Sequence, residues 1–128
     1  MKLIFTILLF MASLLAHAYK VRDVFIPFTN ENGQITNNIV EAVVRDNLGY
    51  VWVGTNNGLN KLDGYSTINY VNDAADPHSI SSNFIRTLFI DSDGDLWVGT
   101  IGGGLNFYDR ANDRFVRYQP QANSPNSI

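Results

Sequence analysis

The sequence predicts an all-β fold built from two repeated units, and three observations lead to that prediction. A ten-residue motif with the pattern Asp-x-x-Gly-x-x-Trp-Val-Gly-Thr occurs twice, at 46–55 and at 91–100. Each copy is followed within a few residues by Gly-Leu-Asn. Short runs rich in Val, Ile, Phe, Tyr and Trp are bounded by Gly, Asn and Asp, as strands and turns are. The chain beyond residue 18 shows no sustained helical spacing of apolar residues. Repetition of this kind indicates a fold that stacks similar units.

Composition limits the classes of function that need consideration. With 128 residues, the chain has room for one domain at most. A formal charge of −3, with charges scattered singly, gives no basic patch for nucleic acid, so no nucleic-acid contact is predicted. There is no cysteine, which excludes disulfides and thiolate metal sites.

Residues 1–18 are predicted to be a signal peptide. A short positive start, Met1-Lys2, precedes an apolar run at 3–15, and Ala16-His17-Ala18 has the small-x-small form of a cleavage site. The alternative is an uncleaved anchor, but a helix over 3–15 would span only about 20 Å of a bilayer core of about 30 Å. The chain is therefore expected to be exported.

Residues 19–34 are predicted to form one N-terminal edge strand. The strand-like run is 24–28, and Pro27 within it cannot donate a ladder hydrogen bond, which favours an edge position. The run resembles the fourth strand of a unit whose other three strands are missing. It is expected to pair with distant strands.

Two aligned units follow, at 35–79 and 80–127, and Ile128 stands where a third would begin. Each unit is predicted to be a four-stranded antiparallel meander. A strong hairpin signal, Asn57-Gly58, lies in the first unit. The predicted strands are 39–45, 50–55, 59–62 and 67–71 in the first unit, and 84–90, 96–100, 105–108 and 115–118 in the second.

The second strand of each unit indicates a β-propeller blade. Val51-Trp52-Val53 and Leu96-Trp97-Val98 are apolar at every position, as in a strand covered on both faces. A β-sandwich, the alternative, should show alternation. A ring needs roughly 4–8 blades, so these two are expected to belong to a larger ring that the N-terminal strand helps to close. The residues of the predicted structural motif are Asp46, Gly49, Trp52, Gly54, Gly58, Asp91, Gly94, Trp97, Gly99 and Gly104.

No catalytic, metal or cofactor site is predicted. The acidic stretch 91–95 has its glycine at the wrong position for a helical calcium loop and is interpreted as a hairpin turn. The glycines at 102–104 are not followed by the lysine of a phosphate loop. His78, the one histidine after the signal peptide, is interpreted as an exposed loop residue.

A binding surface remains the functional candidate. In a propeller, the loops before the first strand and after the second gather on one face near the axis. The polar residues that these loops carry can donate and accept hydrogen bonds, although Asn and Ser are also common in turns because they bond their own backbone. The candidate ligand residues are Asn37, Asn38, Asn56, Asn57, Ser81, Ser82, Asn83 and Gly102.

The phrase Asp-x-x-Gly-x-x-Trp-Val-Gly-Thr followed by Gly-Leu-Asn resembles the two-component regulator propeller repeat, over 35–128. The resemblance implies a periplasmic sensor region of a membrane protein, most often a hybrid histidine kinase that acts through a phosphorelay. A diguanylate cyclase output and a propeller that only scaffolds protein interaction are the alternatives. The implied partners are a carbohydrate or other small polar ligand, the remaining blades, and a second copy in a full-length homodimer.

Overall fold

The computed structural model of the chain describes residues 27, 29–31 and 33–120. Two four-stranded antiparallel sheets, each with its strands in sequence order, make up this part. The first sheet contains β1 (Val40–Arg45), β2 (Val51–Thr55), β3 (Gly58–Leu62) and β4 (Thr67–Tyr70). The second contains β5 (Ile85–Ile90), β6 (Leu96–Thr100), β7 (Gly104–Asp109) and β8 (Arg114–Tyr118).

The predicted all-β fold of two four-stranded antiparallel blades is confirmed. Each of the eight predicted strands is present, with its ends within one residue of the prediction. The predicted signal peptide, the strand-like run 24–28 apart from Pro27, and Ile128 lie outside the described residues. None of the described residues belongs to a helix long and apolar enough to span a lipid bilayer.

The hairpin between β2 and β3 is present, but its predicted loop residues were wrong by one position. Thr55 pairs with Gly58, so the two loop residues are Asn56 and Asn57. Gly58 instead begins β3 with a φ of 125°, a conformation that favours glycine. A Cβ atom at this position would lie 2.8 Å from the Tyr70 carbonyl oxygen.

The core of the described chain lies between the two sheets. We call the side of each sheet that carries its tryptophan the front face and the opposite side the back face. The front face of the first sheet packs on the back face of the second, and eight buried side chains form the core: Trp52, Leu59, Ile80, Ile85, Leu96, Val98, Tyr108 and Phe115. Gly54 allows the close approach, because a Cβ there would lie 2.5 Å from Ile85 Cγ2.

The burial of the side chains of the second strand differs between the two blades. In β2, every residue after Val51 is buried, as the continuous apolar run predicted. In β6, Leu96 and Val98 are fully buried but Trp97 between them is only partly so. Within the described chain no neighbouring sheet lies over the front face of β6, as expected if these two blades belong to a larger ring.

Candidate functional site

The repeated Asp-x-x-Gly-x-x-Trp phrase folds into a closed hydrogen-bonded turn. In the first copy, Asp46 Oδ1 accepts the backbone N–H groups of Leu48 and Tyr50, both at 3.0 Å. Its Oδ2 accepts the indole N–H of Trp52 at 3.0 Å. One carboxylate thus orders the β1–β2 turn and fixes the ring that enters the core, so the phrase has a structural role.

The second copy repeats this arrangement. Asp91 accepts the N–H groups of Asp93 and Asp95 through Oδ1, and the indole N–H of Trp97 at 2.8 Å through Oδ2. These hydrogen bonds, with that from Trp97 first, lower the pKa of Asp91. No group of three or more potential metal ligands occurs within the described ranges. The Asp91 carboxylate is used within its own turn.

An ion pair between the blades distinguishes the first copy of the motif from the second. Arg110, in the turn between β7 and β8, lies 3.0 Å from Oδ2 of the buried Asp46. Burial tends to raise the pKa of Asp46. The hydrogen bonds from Trp52, Arg110 and Tyr50, together with the charge of Arg110, outweigh that effect and lower the pKa. Asp46 therefore stays ionised and fastens the second blade to the first.

The asparagine of each Gly-Leu-Asn segment forms hydrogen bonds that join the loop before the first strand to the rest of its own blade. Fully buried Asn60 donates to the Val53 carbonyl oxygen at 3.0 Å and accepts the Thr36 N–H at 2.9 Å. Asn106 makes the same pair of contacts with Val98 and Ser81. Because the amide of each asparagine is used as both a donor and an acceptor, the motif again has a structural role.

Replacing Asn60 with alanine is expected to lower the free energy of unfolding by about 2 kcal/mol, since buried partners are left without hydrogen bonds. Urea unfolding followed by circular dichroism measures the loss. Asn69→Ala is the matched control, because Asn69 lies opposite Asn60 in the sheet and is exposed. Equal losses in the two variants would contradict the structural role of Asn60.

A polar cluster lies beside the aromatic core between the blades. The hydroxyl groups of Tyr70 and Tyr108 both donate to Asp113 Oδ1 at 2.6 Å. Burial first, and then the Asp113 hydrogen bond, raise the pKa of Tyr108 to about 12. The pKa of Tyr70 is raised by the same causes. Both phenols therefore stay neutral at physiological pH, and the cluster serves to hold the blades together.

A cleft of about 250 Å³ opens beside this cluster, between β4 and β8. His78 is exposed there, as predicted. Asp73 and Asp76 also line the cleft, but their carboxylates accept backbone N–H groups two residues ahead. These two carboxylates are thus used in local turns.

The structure brings the predicted ligand loops together at one end of the two sheets. The N–H of Asn56 donates to the Ile39 carbonyl within the first blade. The N–H of Gly58 donates to the Asn83 carbonyl at 2.8 Å and so joins the loops of the two blades. The candidates at this end are Asn37, Asn38, Asn56, Asn57, Ser81, Ser82, Asn83 and Gly102.

Most of these side chains bond to the chain itself. Asn37 accepts the N–H of Ile39, and Asn38 accepts that of Asn30. Asn83 accepts the N–H of Asn72 at 2.6 Å. The two serines bond to backbone and side-chain groups of the same loops: Ser81 contacts Thr100 and Asn106, and Ser82 contacts Phe84 and Ile101.

Three of the eight candidates are free to meet a ligand. The side-chain amides of Asn56 and Asn57 form no hydrogen bond to any residue that the structure describes, and Asn57 is exposed. Gly102 is exposed and has open space above its Cα. We call Asn56, Asn57 and Gly102, with the apolar residues identified next, the loop surface.

Sequence reasoning missed the apolar part of the loop surface. Ile39, Phe84 and Ile101 are 56%, 53% and 56% exposed at this end of the sheets. Ile39 and Phe84 occupy equivalent positions, one residue before β1 and β5. The signal in the sequence was an apolar residue at the same loop boundary in both repeats, but it was assigned to the strands.

Comparison with known proteins identifies the same two repeats. Residues 33–57 and 79–102 match the two component regulator propeller family. Histidine kinase P4 of Formosa agariphila is 39% identical over 81 residues, which cover 61% of this chain and 6% of that protein.

Two solved structures from B. thetaiotaomicron share the fold, and both are extracellular domains of proteins described as hybrid two component systems. One, BT3049, has 30% identity and a TM-score of 0.65 over 73% of this chain. The other, BT4673, has 29% identity and a TM-score of 0.58 over 71%. The chain covers 13% of each of those structures. With both repeats matched and the blades superposed on these domains, the two repeats of this chain are repeats of the two-component regulator propeller family.

Proposed function

We propose that this chain is part of the ligand-sensing extracytoplasmic region of a transmembrane signalling protein of the hybrid histidine kinase type. The observation that carries the proposal is its 30% identity, over 73% of the chain, to the extracellular domain of a hybrid two component system. The predicted signal peptide at 1–18 is consistent with export. Kinase activity would belong to another part of such a protein.

The loop surface suits a small polar ligand with apolar faces, such as a carbohydrate. Asn56 and Asn57 offer amide donors and acceptors that no described residue uses. Phe84 and Ile39 present apolar surface beside them. Ligand sites commonly combine apolar walls with a few polar groups that fix orientation.

A ligand on this surface would contact both blades at once. The loops of the two blades are joined where Asn83 accepts the N–H groups of Gly58 and Asn72. A ligand that prefers one arrangement of the joined loops would shift the population of blade arrangements by its difference in affinity. Through this coupling, ligand binding at the loop surface would change the arrangement of the blades.

The test uses the full-length protein that carries this chain, reconstituted in membrane vesicles. Thermal shifts with a panel of oligosaccharides identify the ligand, and radiolabelled ATP reports autophosphorylation with and without it. The variant N56A/N57A should weaken binding about tenfold through lost hydrogen bonds. The variant N69A, with an exposed asparagine on β4 replaced, is the control.

Three results would contradict the proposal. If none of the oligosaccharides shifts the melting temperature, that result would count against a carbohydrate ligand. Synthesis of a cyclic dinucleotide in place of phosphorylation would favour a diguanylate cyclase. The absence of both activities would favour a propeller that serves as an interaction scaffold.

A further inference from the structure

We propose that the ligand of the loop surface is uncharged where it lies on these two blades, an inference that rests on the sensing function proposed above. Among saccharides, this specifies a neutral oligosaccharide and excludes one built from uronic acids. The distribution of charged residues between the two ends of the sheets supports this class of ligand.

The loops at the end of the sheets that carries the loop surface contain no ionisable side chain. Their polar side chains are amides and hydroxyls only, and their segments are 36–39, 56–57, 81–84 and 101–103. The chain is not poor in charge, since it has nine Lys or Arg residues and twelve Asp or Glu residues. At the opposite end, each of the four turns between paired strands starts with an aspartate, namely Asp46, Asp63, Asp91 and Asp109. The lack of charge is therefore a property of these loops and not of the whole chain.

The charged residues that follow these loops along the chain neutralise each other. Glu41 and Arg86 each stand at the second position of the first strand of their blade. Their side chains form an ion pair between the blades at 2.9 Å. An anionic ligand close to Arg86 would have to compete with Glu41, which would also repel it. The flanking ion pair therefore disfavours an anion on the loop surface.

The free amides of the loop surface match hydroxyl groups better than carboxylates. Asn56 and Asn57 each offer N–H donors and a carbonyl acceptor, and a sugar hydroxyl can likewise donate and accept. A carboxylate only accepts, so it would leave the amide oxygens without a donor. It would also lose water without gaining a cationic partner, which is costly for a charged group. Phe84, which is 53% exposed, offers aromatic surface to the C–H groups of a neutral sugar ring.

Pairs of oligosaccharides that differ only in charge test the proposal on the full-length protein in membrane vesicles. One member of each pair is a hexose oligomer, and the other is the hexuronic acid oligomer of the same length and linkage. The neutral member should bind at least about tenfold more tightly, because the carboxylate finds no partner charge. Its affinity should stay unchanged between about 0.05 and 0.5 M salt, since no charge is screened. A cationic hexosamine oligomer, included because Glu31 is exposed in the turn that bonds Asn38, should bind no more tightly than the neutral one.

A variant that supplies the missing charge gives a second readout. Asn57→Lys places a cation on the loop surface and should tighten binding of the hexuronic acid oligomer about threefold at low salt, with the gain lost at high salt. Asn69→Lys is the matched control, because Asn69 is an exposed asparagine on β4, away from these loops. It should give no gain. Equal gains in the two variants would contradict the proposal, and the wild-type comparison stands even if a variant fails to fold.

The outcomes separate this inference from the sensing function on which it rests. If the wild type binds a hexuronic acid or hexosamine oligomer more tightly than the neutral one, and N56A/N57A weakens that binding, the neutral class is wrong and the sensing surface stands. If no oligosaccharide binds, or if N56A/N57A leaves the binding unchanged, both the surface and its ligand class are wrong.

Discussion

Replacing Trp52 with alanine is expected to lower the free energy of unfolding by about 3–5 kcal/mol, the usual cost of removing a buried indole. Trp52 is fully buried, and its ring stacks on Tyr70 and meets the edge of Tyr108. The substitution would open a cavity in the core that joins the two sheets. Urea unfolding at fixed protein concentration, followed by circular dichroism, measures the loss.

Two further variants separate the sources of this effect. Trp97→Ala removes the equivalent ring from a partly exposed position, so its loss should be clearly smaller. Trp52→Phe keeps an aromatic ring in the core but removes the N–H that Asp46 accepts, and it should fall between the two. Equal losses for Trp52→Ala and Trp97→Ala would show that burial between the blades does not distinguish the two tryptophans.

Local sequence was sufficient to predict the strands and their order. Apolar runs between turn residues marked all eight strands, because each antiparallel hairpin is set by neighbouring residues. The continuous apolar run of β2 also predicted coverage of both faces correctly. In β6 the front face is open, because its coverage depends on a neighbouring blade that the described chain lacks.

Contacts between distant residues could not be read from the repeats. The pairing of Arg110 with Asp46 leaves no repeat signal, since Gly64 occupies the equivalent place in the first unit. The hydrogen bonds of Tyr70 and Tyr108 to Asp113 likewise join different blades or follow a turn present in one unit only. Such pairs arise from sheet packing, which the pattern of one strand does not specify.

The loop candidates show the corresponding limit for function. Asn37 and Asn57 look alike in sequence, since both are loop asparagines beside another asparagine. Asn37 bonds the backbone two residues ahead, whereas the amide of Asn57 has no partner among the described residues. The strand order predicted which loops lie together at one end of the sheets, and only the folded loops separate side chains that bond their own turns from those without a described partner.

Replacing Asp46 with asparagine is expected to cost about 3 kcal/mol at neutral pH, because Arg110 loses a buried partner charge. Asp46 is 4% exposed and joins its own turn, Trp52 and the second blade. Asp91→Asn is the matched control, since Asp91 makes the same turn and the same indole bond but pairs with no arginine among the described residues. Its loss should be smaller. In a double-mutant cycle, Arg110→Ala should cost little once Asp46 has been replaced.

The pH dependence of this difference identifies the charge as its cause. In the folded chain, hydrogen bonds and Arg110 outweigh burial and hold the pKa of Asp46 below its usual value. A lowered folded pKa means that the stabilisation is complete above the unfolded value of about 3.9 and is lost as pH falls through the folded value. The stability difference between wild type and D46N should therefore stay constant from about pH 7 to 5 and shrink below about pH 4. Other carboxylates whose pKa is lowered, such as Asp113, are present in both proteins, so their contribution cancels. A difference that persists at low pH would attribute the effect to the shape of the side chain and contradict the role of the Asp46–Arg110 ion pair.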